Sequence, residues 1–240
     1  MKRIRKVILI ILIIITTITL GITIYVNVST YKPTEDALLI INEIVQKKNL
    51  YIFEPEVATS NLIFYPGGFV DEKAYAVLLD GLKNEGVRVF LVSMPLKLAI
   101  TNTNAAEKIY QSYPSSLPWY IGGHSLGGAS ASIFLSKNHE WVSGLILLAA
   151  YPASSSDLSN YNLRVLSIYG NQDLVLDVSK LEDTKILLPN DTEYYIIPGG
   201  NHAYFGNYGE QKGDGTALIT RSEQQLLTIE IIVSFIENNT

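Results

Sequence analysis

The chain has no cysteine, three histidines and few charges for its length. Each scarcity excludes something. Without cysteine, no disulfide can brace the fold and no thiolate can serve as nucleophile or metal ligand. With histidine confined to His124, His139 and His202, an imidazole general base has only three candidates. Charged residues are 17% of the chain, and 18 Lys and Arg face 23 Asp and Glu for a net charge of −5. Four of the cations, Lys2, Arg3, Arg5 and Lys6, stand at the very start. The remainder of the chain is therefore more acidic still, which argues against a nucleic-acid partner, since phosphate recognition needs a basic surface. The one stretch reminiscent of a metal loop, Gly213-Asp214-Gly215, lacks the ligand spacing of a calcium site and reads as a turn. No metal and no cofactor are expected.

Directly after the leading cations, Val7 to Val28 runs for 22 residues without a charge. That length crosses a hydrocarbon layer of about 30 Å. Cations before the run predict residues 1–6 in the cytoplasm, a transmembrane anchor over 7–28 and an exported remainder. A signal peptide is the alternative. The run exceeds a usual signal core and no small-x-small cleavage site comes after it, which favours an uncleaved anchor. Ser29 to Asp36 reads as a linker, and 37–240 as one catalytic domain.

Within that domain apolar runs alternate with helical periodicities. Strands are predicted at 61–65, 87–92, 118–123, 142–150, 163–169 and 193–198. Helices are predicted from Leu38 to about Lys48, from Glu72 to Asn84, from Ala105 to Tyr113, from Ser125 to Ser136 and from Val178 to Leu188. A last one is expected to about Glu237, opened by a capping box at Ser222 to Gln225. Near-continuous apolar strands between helices specify a mostly parallel sheet covered on both faces. No internal repeat or low-complexity tract interrupts the pattern.

The segment "IGGHSLGG" (121–128) sits where a predicted strand meets a predicted helix. Gly123-His124-Ser125-Leu126-Gly127 there has the G-x-S-x-G form of a turn that lifts a serine out of the backbone as a nucleophile. Glycine at 123 and 127 permits close approach of neighbouring backbone, and the new helix aims N–H groups at an oxyanion beside Ser125. A Gly-rich packing turn with an incidental serine is the bland alternative. A serine needs a base and the base a carboxylate. His124 is held beside the serine in sequence, so its side chain points elsewhere, and His139 comes after a helix end as a surface cation. His202 lies in "PGGNHAYFGNYG" after the last strand, at the sheet end where parallel folds place their chemistry. Asp173, in "IYGNQDLVLD" after the preceding strand, is the expected acid, with Asp177 as the nearby alternative. For the oxyanion, "FYPGGFV" (64–70) offers the N–H of Gly68, with Phe69 as substitute, beside the N–H of Leu126. Phe69, Tyr204 and Phe205, with Tyr208 and Gln211, are expected around the substrate if the segment after His202 folds over the site.

With nucleophile, acid and base in the order Ser125, Asp173, His202, the chain from about Leu62 to Phe235 resembles the α/β-hydrolase superfamily. It is most similar to small membrane-anchored bacterial members related to dienelactone hydrolases and carboxylesterases. The resemblance rests on "FYPGGFVDEKAY", "VSMPLKLAI", "IGGHSLGG", "IYGNQD" and "GGNHAYFGNYGEQKGDGTA". It implies an α/β-hydrolase fold and a serine hydrolase acting on ester-like bonds. Dienelactone hydrolases use a cysteine nucleophile, which this chain lacks, so their lactone chemistry does not carry over. The His-Gly-Gly-Gly of many lipases is also missing before the oxyanion loop. Between the strands ending near Ala150 and starting near Leu163 there is no room for a lid domain. That opening favours small or surface-displayed esters. An acyltransferase serving a cell-surface alcohol, or a non-catalytic binding module, would use the same fold. The expected partners are an ester substrate and, through the N-terminal helix, a membrane; no obligate protein partner is evident.

Overall fold

The computed structural model describes residues 2–137 and 140–238, so the expectation for His139 lies outside the described residues. The chain divides into two compact units, Met1–Thr30 and Tyr31–Thr240. The first is one helix, α1 (Lys2–Ser29), exposed along its length and, with a mean hydropathy of 2.9, long and apolar enough to cross a membrane. Its threonines suit an apolar medium. The hydroxyls of Thr16, Thr17, Thr19 and Thr23 each donate to the carbonyl four residues back, so none is left unsatisfied.

In the second unit the strands are β1 (Val45–Lys47), β2 (Leu50–Phe53), β3 (Ser60–Tyr65), β4 (Val87–Val92), β5 (Trp119–His124), β6 (Gly144–Leu148), β7 (Arg164–Gly170) and β8 (Glu193–Ile197). They form one sheet in the order β1-β2-β4-β3-β5-β6-β7-β8, antiparallel in its first two pairings and parallel from β4 to β8. The central strands are buried on both sides, so alternate residues serve separate cores. Leu62, Phe64, Val89 and Leu91 join one core with α2 (Glu35–Ile41), α3 (Ala76–Asn84) and α7 (Arg221–Glu237). Ile63, Tyr65, Phe90 and Val92 join the other with α4 (Ala105–Ser112) and α5 (Leu126–Leu135). Fully burying each large apolar side chain contributes about 1.5–3 kcal/mol, which is how a fold without disulfides holds together. The residues between β6 and β7 form no helix, and no lid domain interrupts the sheet.

Three sequence expectations are corrected. The helix expected to Lys48 ends at Ile41, and Val45–Lys47 instead pairs with β2 as an edge hairpin. Its three residues are all exposed, so no burial pattern marked it as a strand. The stretch expected as a linker is tied in from Tyr31 onward: its N–H donates to Phe69 O at 2.8 Å, and Thr34 N–H donates to Asn207 O at 2.8 Å. The capping box of α7 is Thr220 with Glu223, two residues earlier than expected. Gln224 and Gln225 are thereby freed for the interior, where both are buried.

Candidate active site

Four loops at the carboxyl ends of the parallel strands β3, β5, β7 and β8 carry the residues of interest. After β5 the chain reverses sharply into α5. Ser125 takes up the turn with φ 52° and ψ −121°, a conformation that L residues rarely adopt. Its own N–H donates to Leu148 O at 2.9 Å, pinning the turn to β6. The flanking glycines are required by space. A Cβ on Gly123 would overlap Tyr65 O and lie 2.7 Å from the Gly127 carbonyl carbon, and one on Gly127 would overlap Tyr65 O and lie 2.7 Å from Pro66 O.

The loops after β7 and β8 bring Asp173 and His202 together. Asp173 Oδ2 lies 2.8 Å from His202 Nδ1, with both side chains buried. The other carboxylate oxygen accepts the N–H groups of Val175 (2.9 Å) and Leu176 (2.8 Å), which aims Oδ2 at the ring. With Nδ1–H donating to the carboxylate, the lone pair of His202 is on Nε2. That atom is buried and has no hydrogen-bond partner among the described residues. His202 lines a cavity of about 250 Å³ together with Ser125, Leu126, Ala129, Ala149, Ala150, Tyr151, Val175, Leu176 and Asp177. The alternative acid, Asp177, is instead the N-cap of α6 (Val178–Thr184), accepting from Lys180 N–H.

The oxyanion expectation divides. A side chain at 68 would meet Leu126 Cδ2 at 3.1 Å, so Gly68 and Leu126 are neighbours. Neither N–H has a hydrogen-bond acceptor among the described residues; that of Leu126 is one of the free donors in the first turn of α5. Phe69 cannot substitute as donor, because its N–H is spent on Lys97 O at 2.8 Å.

The three residues expected around the substrate do not line the cavity. Phe205 is fully buried, its ring 5.7 Å from that of His124. Tyr204 stacks under Arg221 at 4.6 Å and borders a separate small cavity with Asn201 and Asp214. Phe69 is half-buried in the turn after β3. Tyr208 is buried, its hydroxyl 3.0 Å from Gln211. The aromatic segment after His202 packs; it does not fold over the cavity.

Two residues that hold the His202 loop escaped sequence reasoning. Asp214, expected as part of a turn, accepts N–H groups of His202 (3.2 Å), Ala203 (2.8 Å), Gly215 (2.8 Å) and, at 3.4 Å, Leu174. One carboxylate thus ties the Asp173 loop to the His202 loop. Gln224 grips the residue before the histidine from both sides, accepting from Asn201 N–H (2.9 Å) and donating to Asn201 O (2.8 Å). An Asp214→Asn substitution turns an amide N–H₂ towards these donors. It is expected to destabilise the fold by about 1–3 kcal/mol and to slow any reaction that depends on His202. Thermal unfolding beside a rate measurement checks both.

His124, expected to point away from the serine, does so. It is fully buried, with Nδ1 2.8 Å from Tyr75 Oη and Nε2 3.1 Å from His202 O. Burial first, and then the His202 ring 4.5 Å away, hold its pKa well below the usual histidine value. The groups facing it are Tyr75, whose own pKa burial raises, and His202 with Asp173 behind it. Unfolded, His124 takes a proton below about pH 6.5. Folded, it does not, so between 6.5 and its lower folded pKa the unfolded state binds more protons. Its contribution to stability is complete above 6.5 and is lost as pH falls, at up to about 1.4 kcal/mol per pH unit. Stability measured from pH 7 to 5 should fall more steeply in the wild type than in His124→Gln; equal slopes would refute this.

The residues 61–226 match the model of the alpha/beta hydrolase family. No curated protein matches the chain in sequence. Among solved structures, the chain is similar to a dienelactone hydrolase from Anabaena variabilis, at 18% identity and a TM-score of 0.58, over 75% of this chain and 88% of that one. It is similar to Est1E from Butyrivibrio proteoclasticus at 15% identity and a TM-score of 0.61, over 82% and 97%. It is also similar to acyl-protein thioesterase 2 of Zea mays at 10% identity and a TM-score of 0.59, over 80% and 99%. At such identities the likeness is one of fold. The match over most of the second unit, together with the sheet order and the loops at its carboxyl ends, means that the chain belongs to the alpha/beta hydrolase family.

Proposed function

We propose that this hydrolase is a serine esterase that cleaves carboxylic ester-like bonds through an acyl-enzyme on Ser125. One observation carries the reading: His202, oriented by Asp173 and with its buried Nε2 unpartnered among the described residues, lines the same cavity as the strained Ser125. In the mechanism His202 Nε2 takes the Ser125 proton as Oγ attacks the ester carbonyl. The N–H groups of Gly68 and Leu126 receive the developing oxyanion. Asp173 holds the imidazolium in register. His202 then returns the proton to the leaving alcohol; a water deprotonated by the same nitrogen attacks the acyl carbon, the bond to Oγ breaks, and that proton passes back to Ser125 as the acid leaves.

The cavity sets the substrate size. Its walls are mainly Ala129, Ala149, Ala150, Val175 and Leu176, and about 250 Å³ lies at the small end for ligand sites. Short acyl groups suit it better than long chains. The placement that accompanies this reading has α1 spanning a membrane and the catalytic unit outside the cytoplasm.

Two measurements test the reading. A fluorophosphonate probe should label Ser125 covalently, as mapped by peptide mass spectrometry. Hydrolysis of p-nitrophenyl esters should favour acetate and butyrate over long chains. Absence of labelling at Ser125 would remove the nucleophile, and a preference for long chains would refute the size argument. For the placement, protease added to intact cells lacking an outer membrane should digest the catalytic unit; digestion only after permeabilisation would reverse the orientation.

A further inference from the structure

The loop that offers Gly68 and the loop that carries His202 leave strands at different places in the sheet, β3 and β8. A buried chain of hydrogen bonds joins them. Gly67 N–H donates to Tyr75 Oη at 3.0 Å. Tyr75 Oη lies 2.8 Å from His124 Nδ1, and His124 Nε2 lies 3.1 Å from the main-chain oxygen of His202. Only one arrangement of protons satisfies every member. The carbonyl of His202 can only accept, so His124 Nε2 carries the hydrogen. Nδ1 then accepts, and the Tyr75 hydroxyl donates to it while accepting from Gly67.

The surroundings show that this chain is built in. Tyr75 is completely buried and His124 nearly so, with the rings of Phe64 at 5.1 Å from Tyr75 and Phe205 at 5.7 Å from His124. Polar groups in such a place are costly unless every donor and acceptor is matched, as here. Gly67 fits the chain too. A side chain there would come within 2.8 Å of Tyr75 Oη and 2.9 Å of His124 Nδ1, so its lack of one admits both groups to the backbone. The ring of His124 also lies 4.5 Å from that of His202. A neutral His124 leaves room for the positive charge that His202 gains when it takes a proton, which a second cation there would oppose.

We propose that His124 and Tyr75 are positioning residues that fix the oxyanion loop and the base loop relative to each other. The role rests on the reading of Ser125 and His202 as nucleophile and base. Holding Gly67 N–H sets the peptide from which the next N–H, that of Gly68, is presented. Holding His202 O sets the backbone from which the imidazole is presented beside the cavity that Ser125 also lines. The pair thus touches neither substrate nor reacting atoms, yet governs the geometry in which the transition state is stabilised.

The test uses the full chain in detergent, with rates expressed per active site titrated by fluorophosphonate. Tyr75→Phe keeps the ring and removes the bridge. It should lower kcat roughly 10- to 100-fold with KM within about threefold, because the lost alignment matters most in the transition state. His124→Phe should lose at least as much, and the double variant no more than His124→Phe alone, because one chain is broken in each. A purely structural role would instead lower the number of titrated sites and the melting temperature while leaving kcat per site intact. Nitrogen-15 NMR of the imidazoles supplies a readout independent of turnover: His124 should stay neutral with its hydrogen on Nε2 from pH 8 to 5. A hydrogen on Nδ1, titration near pH 6.5, an unchanged kcat in Tyr75→Phe or additive losses in the double variant would each overturn the proposal. If wild-type Ser125 is not labelled at all, the functional reading falls and the positioning role with it. If it is labelled, and Tyr75→Phe is labelled at the same rate, the positioning role alone falls.

Discussion

Ser125→Ala and His202→Ala are each expected to cut ester turnover by about three to six orders of magnitude, with the double variant hardly worse than either. The near-equality comes from the chemistry. Without the hydroxyl, the base has nothing to activate; without the base, the hydroxyl stays protonated. Asp173→Asn should cost about 10⁴-fold for a different reason. An amide beside Nδ1 can present N–H where the ring requires an acceptor, and this turns the tautomer so that Nε2 carries the hydrogen. Because Asp173 Oδ1 also receives Val175 and Leu176 N–H, this variant should lose stability as well. Ser125→Ala should not, since no side-chain hydrogen bond of Ser125 exists among the described residues to be lost. A wild-type melting temperature with turnover at background is therefore the signature of a nucleophile. Near-normal turnover in Ser125→Ala would sink the assignment, and an Asp177→Asn variant more damaging than Asp173→Asn would move the acid.

The elements that proved legible were those whose cause is local. Strands β3 to β7 announce themselves as apolar runs because both faces of each are buried, and G-x-S-x-G marks a turn because backbone meets backbone there. Asp173 and His202, each in the loop that comes after a strand end, were expected as partners and meet in the structure. What escaped depends on partners distant in sequence. Asp214 looked like a turn residue because its partners, the N–H groups of His202, Ala203 and Leu174, are brought to it only by the fold. Tyr204 and Phe205 looked like a pocket wall because Arg221 and His124, against which they pack, are invisible until the chain closes. The spacing of Leu38, Ile41 and Val45 fits a helix, yet the exposed Val45 pairs with the buried Ile52 at the sheet edge, where strand pairing and not the burial of Val45 decides. At the start of α7 two overlapping capping patterns competed. Thr220 with Glu223 prevails, since Gln225 is occupied inside by Asn207 at 2.8 Å.

Gly127→Ala is expected to be among the most damaging single-methyl changes in the second unit. The added carbon would overlap the carbonyl oxygen of Tyr65 and lie 2.7 Å from that of Pro66. Both obstacles are main chain, so no rotamer change relieves them. Tyr65 ends β3, paired on one side with Gly123 of β5, and Pro66 leads into the Gly67-Gly68 loop. Relief requires α5 to withdraw from the sheet or the end of β3 to bend, and either displaces Ser125 relative to Gly68. A cost above about 4 kcal/mol is expected, in the range reserved for severe core disruption. Gly81→Ala in α3 is the control. Its new methyl would meet the tip of Ile229, a flexible side chain that can turn aside, and alanine is favoured over glycine in a helix by about 1 kcal/mol. Melting temperatures and phosphonate-labelling rates of the two variants should therefore diverge. Gly81→Ala should remain close to wild type in both, while Gly127→Ala should either fail to accumulate as folded protein or fold with Ser125 unreactive. A Gly127→Ala protein that melts and labels like the wild type would show that the elbow does not need the close backbone approach on which its geometry rests.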